Sequence, residues 1–189
     1  MPNVPVNKHV AQKFIASTPD AEVFGGALLG VIENIRADEI RPYLQKYNLE
    51  SLDANRWYPE QLILDFQRAI VESRVNSTDN LVAMGMKGID SAKLPPEVKT
   101  IEQALNALST MFHTIHRNIP PEETLTVVES KPNFILLVEN TALADDILYG
   151  YLWGIVKRYR PANASFSVTR VENPVADDYP GTAYEIVWG

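Results

Sequence analysis

The chain has 189 residues, 46% of them hydrophobic, enough to bury the core of one domain, or of one domain in two unequal halves. It contains no cysteine, which excludes disulfides, thiolate zinc sites and thiol catalysis and leaves any metal to His, Asp or Glu. Its net charge of −7, without a block of Lys or Arg, opposes nucleic-acid binding, and no stretch has the length of a membrane span.

The opening Met-Pro-Asn-Val-Pro-Val-Asn-Lys-His lacks the apolar run of a signal peptide, so a soluble, cytoplasmic protein is expected. Pro2 and Pro5 predict an extended arm over residues 1–17, loosely attached or draped over a neighbour. Ser17 or Thr18 then reads as the cap of a helix with Pro19 at its first position, running to about Arg36 with Val23, Ala27, Leu28, Val31 and Ile35 on its core face. Gly25, Gly26 and Gly30 are read as places of close helix packing. Asp38 caps a short helix through Tyr47, and Tyr58-Pro59-Glu60 opens another with Leu62, Phe66, Ala69 and Ile70 on one side. Asn76 to Asp79 caps a segment from Leu81 to Ile89 that Gly85 and Gly88 weaken.

After Leu94-Pro95-Pro96, Thr100 starts a long helix to about Arg117 whose stripe is Ile101, Leu105, Leu108, Phe112 and Ile115. His113 and His116, three apart beside that stripe, are expected on a common helical face. They are the cofactor candidates: the spacing suits two ligands of one metal ion, or one axial ligand of a heme iron. It equally suits imidazoles placed at the negative end of the helix dipole.

Pro120 and Pro121 mark the change to strands. The chain is therefore expected to form one α+β domain over 18–189, with a helical part (18–119) packed on a sheet part (120–189) of four antiparallel strands and one covering helix. The strands are Thr124 to Glu129, Asn133 to Glu139, Ser165 to Val171 and Thr182 to Trp188, and the helix is Asp145 to Tyr159. Asn173 to Gly181 reads as a long surface loop. Gly150 and Gly154 allow the helix to pack closely on the sheet or on a facing helix. Phe112, Tyr149, Tyr151 and Trp153 are the candidate aromatic wall of a ligand pocket or of an oligomer contact. The acid pairs Asp145-Asp146 and Asp177-Asp178 read as cap and loop solvation, because adjacent helical residues point about 100° apart. No nucleophile, base and oxyanion donor share a motif, so no catalytic residue is assigned and an enzyme ranks behind a binding module.

The order of elements is similar to the superfamily that joins the heme-nitric-oxide/oxygen-binding domains, the vinyl-reductase-type small-molecule-binding domains and related trafficking-complex subunits. The resemblance covers residues 20–189. It is carried most closely by Phe134 to Trp153, where Leu-Leu-Val-Glu-Asn leads to the helix Leu-Tyr-Gly-Tyr-Leu-Trp-Gly, and by the closing strand Thr182 to Trp188. Heme-binding members carry Tyr-x-Ser-x-Arg for the heme propionates before this helix; the equivalent stretch here is Val138 to Ala142, without the motif. The resemblance implies a divergent binding or sensing domain with an apolar cavity between the helical part and the sheet. The apolar core, spaced glycines and aromatics without a catalytic constellation make the expectation a non-enzymatic module that binds a small apolar or aromatic ligand or acts as a protein-interaction unit in signalling, and Tyr149 and Trp153 are compatible with a homodimer. The alternative, from the histidine spacing, is a heme or metal protein using His113 or His116.

Overall fold

The computed structural model describes residues 8–32 and 37–189. Strand β1 (Glu22–Phe24) leads into helix α1 (Gly25–Ile32), followed by α2 (Ala37–Lys46), β2 (Trp57–Pro59), α3 (Glu60–Ser73), α4 (Ser77–Ser91) and α5 (Ile101–Ile115). The rest comprises β3 (His116–Arg117), β4 (Thr124–Lys131), β5 (Phe134–Asn140), α6 (Asp145–Tyr159), β6 (Phe166–Val171) and β7 (Thr182–Trp188). The architecture is α+β, with an antiparallel four-stranded sheet of order β4-β5-β7-β6. No described helix is long and apolar enough to cross a membrane.

The sheet interior is built by alternation. Ile135 and Leu137 of β5 join the main core with Ile186 and Tyr184 of β7, while Leu136 and Val138 point to the other face and meet Ala183. That second face is covered in part by Val175, so the 173–181 connection packs as well as solvates. The main core continues from the sheet through α6 into α3, α4 and α5, whose Ile101, Ala104, Leu105, Leu108 and Phe112 are buried. Thr100 caps α5 by accepting a hydrogen bond from the Gln103 amide at 3.2 Å.

The close approach expected of the glycines falls between α4 and α6. A Cβ on Gly85 would lie 2.1 Å from the Ile147 carbonyl oxygen, and one on Gly150 would lie 2.3 Å from that of Val82. Gly85, which weakens α4 as an isolated helix, is thus what lets α4 meet α6 backbone to backbone.

Three expectations are corrected. The first helix does not begin at Ser17 or Thr18: residues 22–24 form β1, with Val23 opposite Tyr58 in β2 and His116 in β3, and α1 begins at Gly25. Pairing with segments remote in the chain overrides the local cap signal there. The expected end near Arg36, including Ile35, lies outside the described residues. Asp38 stands inside the first turn of α2 and is not its cap. His113 and His116 do not share a helical face, because α5 ends at Ile115 and His116 is extended, with φ −117° and ψ 146°.

Of the N-terminal arm, residues 8–17 are described, and they are tied to the start of α6 and to the turn before it. Phe14 N donates to the Ala142 carbonyl at 2.8 Å, and Ala11 N donates to Asn140 Oδ1 at 2.8 Å. Asn140 Nδ2 donates in turn to the His9 carbonyl, and Arg68 to that of Phe14.

Candidate functional site

A cavity of about 260 Å³ lies between α1, α4, α5 and α6. Gly26, Ala27 and Gly30 on α1 and Gly88 on α4 line it, and the glycines let these helices close on their neighbours. A Cβ on Gly88 would meet Tyr151 Cε1 at 2.6 Å, and one on Gly30 would meet Ser91 Oγ at 2.7 Å. The remaining wall is apolar, from Val31 and Ile89 to Leu108, Met111 and Phe112, closed inside by Leu125, Leu143 and Leu148.

The polar groups at this wall are quiet. Ser91 Oγ is within hydrogen-bond reach of three backbone carbonyls, those of Gly30, Lys87 and Gly88. Burial pushes the Tyr151 phenol up to about 12, so it stays an uncharged hydroxyl. His116 stacks on Phe112 with ring centroids 4.1 Å apart, and its Nδ1 lies 3.0 Å from the Phe112 carbonyl. A carbonyl only accepts, so Nδ1 carries the proton and Nε2 the lone pair. Burial lowers His116 to about 4, the Phe112 hydrogen bond acting against it, and the imidazole is neutral at pH 7.

Behind His116 lies Glu60, fully buried, with Oε1 3.6 Å from His116 Nε2, beyond a hydrogen bond. Burial first, then the neighbouring Glu123, pushes the Glu60 carboxyl up to about 8. Neither Glu60 oxygen finds a partner among the described residues, nor does Glu123 Oε2. No group of three or more His, Asp or Glu among the described residues is arranged to hold a metal ion.

The residues singled out from sequence therefore separate. Phe112, Tyr151 and His116 border the cavity. His113 is exposed and stands edge-on to Phe112, outside the lining. Tyr149 and Trp153 are half-buried elsewhere; Trp153 leans on Phe166 with centroids 5.1 Å apart, under the Lys157 ammonium. Sequence reasoning missed Met111, Gly88 and Glu60 as neighbours of one site. The positions of the missing Tyr-x-Ser-x-Arg motif hold an ion pair: Glu139, fully buried, accepts from Lys13 at 2.5 Å and from the Thr141 amide and hydroxyl. Lys13 also reaches Asp145 at 3.0 Å. Burial pushes the Glu139 carboxyl up, against the pull of Lys13.

No family model matches the chain, and comparison with curated protein sequences gives no match. Solved structures do resemble it. An H-NOX protein from S. oneidensis superposes with a TM-score of 0.60 at 10% identity, over 88% of this chain and 96% of that one. The Fe(II) unliganded H-NOX protein from K. algicida gives 0.59 at 13% identity, over the same shares of the two chains. An oxygen-binding H-NOX domain related to soluble guanylate cyclases gives 0.57 at 12% identity, covering 87% of this chain and 92% of its own. At this level of identity the likeness concerns the course of the backbone: the chain is a divergent example of the H-NOX fold.

Proposed function

We propose that the chain is a non-enzymatic, cytoplasmic binding or sensing module whose ligand is a small apolar or aromatic molecule held in the cavity between α1, α4, α5 and α6. The carrying observation is that cavity, lined mostly by apolar residues and glycine within a fold whose solved examples include an oxygen-binding domain. Its volume lies just below the ~300–1,000 Å³ of typical small-molecule pockets, which suits a single ring or a short chain. The non-enzymatic part is supported by Ser91, whose hydroxyl is directed to backbone carbonyls, and by His116, whose Nδ1 lies on the Phe112 carbonyl. Tyr149 and Trp153, outside the cavity, are the surface through which a second copy or a signalling partner would read the bound state.

Heme, the group implied by the fold, does not fit these residues. A buried carboxyl, Glu139, stands where propionate-binding residues would be needed, and Lys13 of the arm already neutralises it. His113 is outside the cavity, and the free lone pair of His116 faces Glu60.

The test is thermal unfolding of the whole chain with toluene, and separately with hemin. Toluene is expected to raise the melting temperature in proportion to the logarithm of its concentration, and Ala27→Phe, which puts a ring in the space, removes the response. No response in the unsubstituted chain sinks the proposal. A saturable Soret band that His116→Ala abolishes would instead establish heme.

A further inference from the structure

The cavity has a neighbour. A groove of about 630 Å³ runs between the 93–98 connection and the outer side of α5, floored by Leu94, Val98, Ala107 and Met111. Met111 borders both spaces and is the lining residue they share. Methionine is the side chain best suited to such a partition: unbranched and adaptable, it can turn aside without leaving a rigid void.

Polarity changes from one side of Met111 to the other. The cavity wall is mostly apolar, and of its polar lining residues Ser91 directs its hydroxyl at backbone carbonyls, Tyr151 is an uncharged phenol and His116 a neutral imidazole. The groove instead carries uncharged hydrogen-bonding groups at its rim, Gln103, Asn106, Thr110 and Thr114, and one charge of each sign, Lys93 and Glu97. An ionic head would gain from one of those two charges and lose to the other; a neutral hydrogen-bonding head loses nothing. Resting on the function proposed above, we propose that the ligand is an elongated, uncharged amphiphile, its aliphatic end in the cavity and its hydrogen-bonding head in the groove beyond Met111.

The experiment is isothermal titration of the whole chain with 1-alkanols from butanol to dodecanol, with toluene as the short probe. Affinity is expected to rise roughly fourfold per added methylene while the tail is being buried. 1-Decanol binds more tightly than decanoate or decylammonium of the same length. Ala107→Trp, which fills the groove without touching the cavity, weakens 1-decanol by at least about tenfold and leaves toluene unchanged. Met111→Ala, which opens the partition, strengthens the dependence on chain length or speeds association. Equal 1-decanol affinity in Ala107→Trp and the unsubstituted chain, with toluene bound by both, overturns the amphiphile, as does a preference for decanoate or decylammonium. If neither toluene nor any alkanol binds, the cavity itself is not a binding site and both proposals fall.

Discussion

At Glu60 the folded chain holds a proton that the unfolded chain gives up near 4.5, because the carboxylate would sit without water and beside Glu123. Below pH 4.5 both states carry that proton. As pH rises toward 8 only the unfolded state releases it, so stability falls by ~1.4 kcal/mol per unit and levels off above 8. His116 acts in the opposite sense, since its depressed value draws stability away as pH falls from 6.5 toward 4. The two slopes cancel between 4.5 and 6.5, so the joint contribution of Glu60 and His116 is a plateau there and a loss of roughly 2 kcal/mol between 6.5 and 8. Urea unfolding across this range should show that loss in the unsubstituted chain and not in Glu60→Gln; an unchanged decline in the variant would place its origin elsewhere. Part of this site was legible from the chain alone. Phe112 and Tyr151 stand out as aromatics in helical stripes, and His116 as one of 3 histidines. Glu60 was not, because an acid in the first turn of a helix normally means solvent and a favourable dipole. Its burial beside His116 depends on where β3 lies, a consequence of pairing between residues 22–23 and 116–117. Gly30 and Gly88 were visible as glycines, but that they close on Ser91 and Tyr151 beside one cavity depends on partners remote in the chain.

The crossing of α4 and α6 shows the same dependence on remote partners at the level of elements. Gly85 and Gly150 meet opposing backbone rather than side-chain ends, so neither contact can yield by a rotamer change. Gly85→Ala and Gly150→Ala should each cost roughly 2–3 kcal/mol in denaturant unfolding, and the pair should cost less than the sum, because the first substitution already separates the helices. Gly154→Ala is the control. Its Cβ would meet Ile89 Cβ at 3.2 Å, a side-chain contact that a small shift relieves, so less than about 1 kcal/mol is expected. Equal losses at all three positions would show that helix packing as a whole, and not this backbone contact, sets the cost. Sequence delimited α6 and β7 to the residue, because acidic and basic ends bracket the helix and strict alternation marks the strand. It also found α4, but as a weak helix from Leu81 to Ile89, since the glycines that lower its propensity are stabilised only by α6. The small sheet of β2, β1 and β3 escaped altogether: strands of two or three residues carry no periodicity to read.

Across the whole molecule the N-terminal arm joins the helical part to the sheet part. Gln61 and Arg68 of α3 donate to the Phe14 carbonyl, while Lys13 enters the turn between β5 and α6 and pairs with Glu139 and Asp145. Asp145 is shared with Arg170 of β6 at 3.3 Å, so one short segment links α3, β5, α6 and β6. Glu139 has no water to fall back on, and removing Lys13 would leave its carboxylate with only the Thr141 donors. Breaking such a pair usually costs ~3–5 kcal/mol, but Lys13 is about one-third exposed and burial already pushes the Glu139 carboxyl up, so it can take a proton once Lys13 is gone, which favours about 2–3 kcal/mol for Lys13→Met. Glu139→Gln keeps the Thr141 contacts and removes the charge, so it should recover most of that loss in the Lys13→Met background. A double-mutant cycle by chemical denaturation reads the coupling directly. A coupling near zero would make the arm a passive cover, whereas the expected value of about 2 kcal/mol would make it a structural bridge between the helical part and the sheet part.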